Sequence, residues 1–257
     1  MIHCESIEDV YRAKHIPFWL VSAFKSGFLN SAGFLLTGEF VSHITGFGTR
    51  VGITMGHEGY IFGLELLIIP AAFIFGGVVT SMMLDPSLKS NQFPPYHRVQ
   101  ALITALIGVI VLIGESHLID ETVQFGADEN YSFIEFFVIS LLCFVCGLKN
   151  GLVAWTTQGK IRVTHLTGLA TDIGLNLLYT LKRRRLSPRF REGSRVNVLR
   201  FGILFCFSTG AFVSAILFPQ VGYKGFLVVF VISLVMTLVS SWNAKKLQHK
   251  DSAELTA

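Results

Sequence analysis

Six long apolar blocks dominate this chain and limit what it can fold into. They run over residues 17–37, 61–84, 98–119, 131–156, 197–218 and 222–242. Each is long enough to cross a bilayer core of about 30 Å, which takes about 20 helical residues. Composition agrees, with 51% hydrophobic and only 15% charged residues among 257 and a mean hydropathy of +0.57. A soluble domain carries about 25% charged residues. The expected class is therefore an all-α membrane protein with six transmembrane helices.

Charge at the ends of the blocks sets the expected topology. The run "KRRRLSPRFREGSRVNVLR" (182–200) holds eight of the 21 basic residues. It is expected on the cytoplasmic side, as membrane anchoring rather than as a nucleic-acid site. "SHLIDETVQFGADEN" (116–130) has four acids and no Lys or Arg, so it is expected outside. Lys89 and Arg98 then fall inside, as do the tails 1–16 (Arg12, Lys14) and 244–257 (Lys245, Lys246, Lys250). The N-terminal stretch lacks a basic n-region and a small-residue cleavage site, so the first span is expected to stay.

A polar phrase occurs twice. "HITGFGTRVG" (43–52) and "HLTGLATDIG" (165–174) share five of ten residues at an offset of 122, with Arg50 in one copy facing Asp172 in the other. Upstream, "GFLNS" (27–31) matches "GLKNG" (147–151). The chain thus divides into a first repeat (17–119, broken segment 43–57) and a second (131–243, broken segment 165–181). By charge, the second broken segment begins and ends inside and the first begins and ends outside. Two short re-entrant helices and an inverted repeat follow, the plan of many secondary transporters. The competing arrangement lets both segments cross, giving eight spans and parallel repeats.

Within the phrases, Thr45 and Thr167 are placed to cap a half-helix and the following Gly tolerates the bend. Non-helical backbone at that depth is tolerated only inside protein or beside a cavity. The two breaks are expected to meet at a common axis. Gly27/Ser31 and Gly147/Gly151 have the small-x-x-x-small spacing of close helix packing and are expected to join the first and fourth spans.

These residues, from G-F-L-N-S-A-G-F-L and H-I-T-G to C-G-L-K-N-G and R-V-T-H-L-T-G-L-A-T-D-I-G, resemble the YoaK-like family of bacterial membrane proteins of unknown function, over about residues 17–242. The resemblance implies a bacterial inner-membrane setting and little chemistry. That family's pattern has an acid at Asn30, Gln at Lys149 and Asn at Phe47, where this chain departs from it.

A small-molecule or ion pathway would draw on Asn30, His43, Thr45, Arg50, Lys149, Asn150, His165, Thr167 and Asp172. Charges inside spans are costly and have a partner or water. Lys25 is expected to snorkel to the interface, and Glu65 and Glu135 to sit near span ends. Arg50 and Asp172 are expected either to pair with each other or to face separate aqueous mouths. His43 and His165 more often fix backbone than bind metal, and Cys143, Cys146 and Cys206 read as packing residues. No metal or cofactor is expected.

The chain has no G-x-x-x-x-G-K-[ST], H-E-x-x-H or G-x-S-x-G, and an enzyme is not expected. A transporter or channel is the favoured reading. A structural or regulatory membrane protein, and then a membrane enzyme, are the alternatives. The expected partners are the lipid bilayer and a small solute, with no nucleic acid.

Overall fold

Helices account for all the regular structure in the computed structural model, which describes residues 10–57, 59–60, 64, 66–85, 94–116, 133–181 and 188–255. They are α1 (Ile16–Thr37), α2 (Ile44–His57), α3 (Ile68–Leu84), α4 (Tyr96–Glu115), α5 (Phe133–Thr156), α6 (Leu166–Leu181), α7 (Pro188–Val221) and α8 (Phe226–Leu255). A 3-10 turn, Gly222–Gly225, joins α7 to α8. No strand occurs among the described residues. Glu65, Lys89, the acid-rich residues 117–132 and Lys182–Ser187 lie outside them. The arginine-rich stretch is helical from Pro188 onward, extending α7 beyond its apolar part.

Three stretches are long and apolar enough to cross a membrane: Tyr96–Glu115, Phe136–Thr156 and Gly193–Lys246, the last containing the apolar parts of α7 and α8. Ile68–Leu84 is apolar but shorter. α1 has 22 residues, and Lys25 and Asn30 dilute its apolar character. The perimeter is greasy: Ile74, Phe75, Leu112, Phe205, Phe212 and Leu238 all stand exposed. In water such a surface would drive aggregation, whereas against lipid it costs nothing.

Packing overturns the expectation that Gly27/Ser31 and Gly147/Gly151 join the first and fourth spans. A Cβ on Gly27 would lie 1.8 Å from the Phe207 carbonyl oxygen of α7, and one on Gly147 would lie 2.0 Å from the Phe73 carbonyl oxygen of α3. The partner helices contribute glycines of their own. A Cβ on Gly210 would meet the Phe24 carbonyl oxygen at 2.0 Å, and one on Gly76 the Phe144 carbonyl oxygen at 2.4 Å. α1 therefore packs on α7, and α5 on α3. Glycine is needed because the backbones themselves touch, and no side chain has room between them.

Ser31 is a correction within this pattern. The α7 backbone reaches α1 at Phe24, Gly27 and Phe28, a turn before Ser31, which is half-buried. A serine is tolerated there because the tight approach has already been made at Gly27. Its counterpart Gly151 does serve packing, but against Thr80 of α3 rather than against the first span.

The two contacts match residue by residue. Phe24 and Gly27 of α1 correspond to Phe144 and Gly147 of α5, 120 positions on. Phe73 and Gly76 of α3 correspond to Phe207 and Gly210 of α7, 134 positions on. Thr80 closes the α3–α5 contact: its hydroxyl donates to the Gly76 and Leu148 carbonyls at 3.0 Å each.

Contact register also fixes relative direction. Gly202 lies against Leu20 and Gly210 against Phe24 and Phe28, so α1 and α7 run parallel. Phe73 meets Gly147 and Thr80 meets Gly151, so α3 and α5 are parallel as well. α4 and α8 are antiparallel: Thr104 bonds Thr237 at 2.9 Å, Gly108 faces Phe230 and Gly114 faces Tyr223. α1 and α5 also touch each other, as do α5 and α4, and α8 and α1. Those four helices form an inner ring, with α7 and α3 packed outside α1 and α5.

Alanine at Gly27, Gly76, Gly147 or Gly210 should each overpack a backbone contact, costing about 1–3 kcal/mol. Gly48→Ala, whose Cβ would meet nothing within 4 Å, should be neutral or slightly stabilising. Thermal unfolding in detergent, followed by size-exclusion chromatography, separates these outcomes. Equal tolerance of all five would refute the contacts.

Candidate functional site

The repeated phrases begin one step earlier than their histidines. In the first, the Ser42 amide and hydroxyl both donate to Asn30 Oδ1, at 3.0 and 2.8 Å. In the second, Asn150 Nδ2 donates to the Thr164 hydroxyl at 2.6 Å. Each mid-helix asparagine thus bonds the residue just before the phrase, Asn30 as acceptor and Asn150 as donor, while Asn150 Oδ1 stays buried without a partner among the described residues. The residue before each hydroxyl is Val41 or Val163, both fully buried. The working motif is Val-[Ser/Thr]-His-[Ile/Leu]-Thr-Gly.

The return from each long helix is also built alike. Thr37 and Thr157 donate back to the Gly33 and Val153 carbonyls, at 2.8 and 2.7 Å. Each hydroxyl then accepts a backbone N–H from beyond the helix end, Glu39 at 3.3 Å and Ile161 at 3.2 Å. Left-handed residues make the reversal possible: Gly38 at φ 72°, and Gln158 and Gly159 at φ 51° and 74°. Glycine takes this backbone without strain.

Thr45 and Thr167 do not cap. α2 and α6 start at Ile44 and Leu166, so both threonines lie inside the first turn, where their carbonyls accept from Thr49 and Thr171 hydroxyls at 3.1 Å. The carbonyls of His43 and His165 open the two helices instead, accepting from the Phe47 and Leu169 amides. Both imidazoles are exposed. The bonds that open the helices come from the histidine backbone carbonyls, and no cluster of three or more metal-ligating side chains occurs among the described residues.

Arg50 and Asp172 do not pair with each other. Arg50 makes an ion pair with Glu39, and Asp172 pairs with Arg200 of α7 at 2.7 Å. Each charge finds a neighbour in its own vicinity, and the shared sequence position carries no contact. Lys25 departs from expectation too. Instead of snorkelling, it is fully buried with Nζ 3.8 Å from the Met236 sulfur of α8. Lys149 is 2% exposed and its Nζ lies 2.5 Å from the Ser26 hydroxyl of α1. No carboxylate forms an ion pair with either lysine among the described residues. Two amines therefore share the interior where α1, α5 and α8 meet.

One open cavity of about 310 Å³ adjoins the second phrase. Lys160, Arg162, His165, Gly168, Asp172 and Arg200 contribute to its wall. Ile161 and Val163 are buried, and alternation along this irregular segment turns Lys160 and Arg162 the other way, toward water. Sequence reasoning named His165 and Asp172 but missed Lys160, Arg162 and Arg200 as their neighbours. It missed Ser42, Thr164 and Glu39 as well. Aligning the repeat two residues further upstream would have exposed the Val-[Ser/Thr] pair.

An all-helical fold with three stretches long and apolar enough to cross a membrane is that of a helical membrane protein. The chain belongs to the family described as "Protein of unknown function (DUF1275)", whose model matches residues 18–239. No curated protein and no solved structure matches it.

Local pairing makes a specific forecast for the charges. A double-mutant cycle on Asp172 and Arg200 should return coupling of about 0.2–1 kcal/mol, the range for partly exposed pairs. The same cycle on Arg50 and Asp172 should return none. Coupling in the second cycle and not the first would reverse the assignment.

Proposed function

We propose that this protein is an inner-membrane transporter or channel for a small solute, with six spans and two oppositely inserted halves. The helix directions support six crossings. With α2 and α6 re-entering, α1 and α7 run one way, α3 and α5 the other, and α4 opposes α8, as their contacts require. With eight crossings α4 and α8 would run the same way. The matched glycine contacts and the matched asparagine tethers support an internal repeat. Its inverted form places the first phrase outside and the second inside. The YoaK-like likeness fits the bacterial inner-membrane setting.

The observation that carries the transport reading is the pair Lys25 and Lys149, enclosed among α1, α5 and α8 without a carboxylate. A cation at the centre of a membrane helix costs about 2.5–3.5 kcal/mol on insertion scales. Methionine or leucine would pack there without that cost, so a purely structural interior has no use for two lysines. In a transporter they serve as the polar centre that alternate openings expose to each side. Asn30 and Asn150 hold the two breaks in place beside that centre. Arg50 with Glu39 and Asp172 with Arg200 mark the two mouths.

Water access to this centre tests the reading without a known substrate. In a background with Cys4, Cys143, Cys146 and Cys206 replaced by Ala, Ser26→Cys puts a thiol beside Lys149. A small, charged methanethiosulfonate reagent should modify it in membrane vesicles within minutes. Complete protection while the vesicles remain intact, with modification after denaturation, would show a permanently dry interior and favour the structural alternative.

A further inference from the structure

The cavity beside the second phrase has a charge balance that selects a ligand class. Three cations, Lys160, Arg162 and Arg200, share its wall with one carboxylate, Asp172. Asp172 is engaged by Arg200, while Lys160 and Arg162 form no ion pair among the described residues. At about 310 Å³ the space falls at the lower end of the range for small-molecule sites. Gly168 borders it, and a Cβ there would meet nothing within 4 Å, so the wall is open at the first turn of α6. The N-terminal, positive end of this 16-residue helix lies at the same wall, since His165 and Gly168 both border the space. His165 adds an imidazole N–H donor at the rim. The first phrase differs. A Cβ on Gly46 would lie 2.7 Å from the His43 ring, and Arg50 is held by Glu39.

We propose that this cavity binds a small oxyanion of the phosphate class, held by Lys160 and Arg162 and the first turn of α6. Arg200 is shared between the oxyanion and Asp172. Guanidinium and ammonium groups form short charge-assisted bonds to phosphate oxygens, and arginine does so through two parallel N–H groups. Basic recesses between membrane helices also take phospholipid headgroups, so the phosphate can belong to a free solute or to a lipid. This gives the transport reading a ligand class, but binding is measured without flux, and either can fail while the other stands.

The protein in zwitterionic phosphatidylcholine nanodiscs is titrated with inorganic phosphate at constant ionic strength held by chloride. Binding is followed by isothermal calorimetry and thermal unfolding. A parallel sample contains cardiolipin in the nanodisc. Saturable phosphate binding in the first sample assigns a free anion. Stabilisation confined to the cardiolipin sample assigns a headgroup. In whichever sample binds, Arg162→Gln and Lys160→Gln should each weaken it at least tenfold. Asp172→Asn, which frees Arg200, should tighten it several-fold. Gly168→Leu, at a position whose Cβ meets nothing within 4 Å, should abolish binding, and unfolding at the parent temperature shows that the fold is kept. Absence of both phosphate and cardiolipin effects overturns the proposal. So does weaker binding in Asp172→Asn, or unchanged binding in Gly168→Leu.

Discussion

Backbone-to-backbone contact at four glycines is the constraint on which the rest of this molecule depends. In lipid there is no hydrophobic gain from bringing apolar helices together, so close van der Waals approach has to hold them. Gly27 with Gly210 brings α1 onto α7, and Gly147 with Gly76 brings α5 onto α3. Because α1 and α5 are clamped from outside by these partners, their opposite faces are free to meet across the inner ring. That is where Ser26, Lys149 and Lys25 lie.

Two kinds of polar device sit on this frame. Asn30 and Asn150 act locally, Asn30 accepting from the Ser42 amide and hydroxyl and Asn150 donating to the Thr164 hydroxyl. The two breaks are tied at equivalent sequence positions while the charges that follow differ. Arg50 is held by Glu39 and Asp172 by Arg200, so one scaffold presents a compensated positive group in one half and a cavity with surplus positive charge in the other.

The helical, membrane-compatible class was legible because apolar blocks of span length have few other stable uses. The doubled phrase was legible as a pair of breaks, yet its anchor was not, since Ser42 and Thr164 differ and stand just before the conspicuous His-x-Thr-Gly. Gly27 and Gly147 announced close packing but not the partner. A small residue says that a surface is flat and leaves open which helix covers it, and the covering glycines, Gly76 and Gly210, lie in spans that looked plain. Ser31 shows the limit of spacing alone, since it stands one turn from Gly27 yet beyond the point where α7 crosses closest. Of the two arrangements open for Arg50 and Asp172, mutual pairing fails for a related reason. Equivalent positions in a repeat suggest symmetry, but an ion pair forms with whichever opposite charge is nearest, here Glu39 and Arg200. Lys25 looked close enough to a span end to reach water, and only the helices stacked over it, α8 above all, close that route.

The central claim is that the two halves insert in opposite senses, and the sidedness of the two phrases tests it most directly. Thr45 and Thr167 occupy equivalent, exposed positions. In a cysteine-free background, Thr45→Cys and Thr167→Cys are labelled with a membrane-impermeant maleimide in spheroplasts and in inverted vesicles. Opposite insertion predicts that Thr45→Cys reacts in spheroplasts and Thr167→Cys in inverted vesicles. Reaction of both from the same side would contradict the inverted arrangement and, with it, the six-span account.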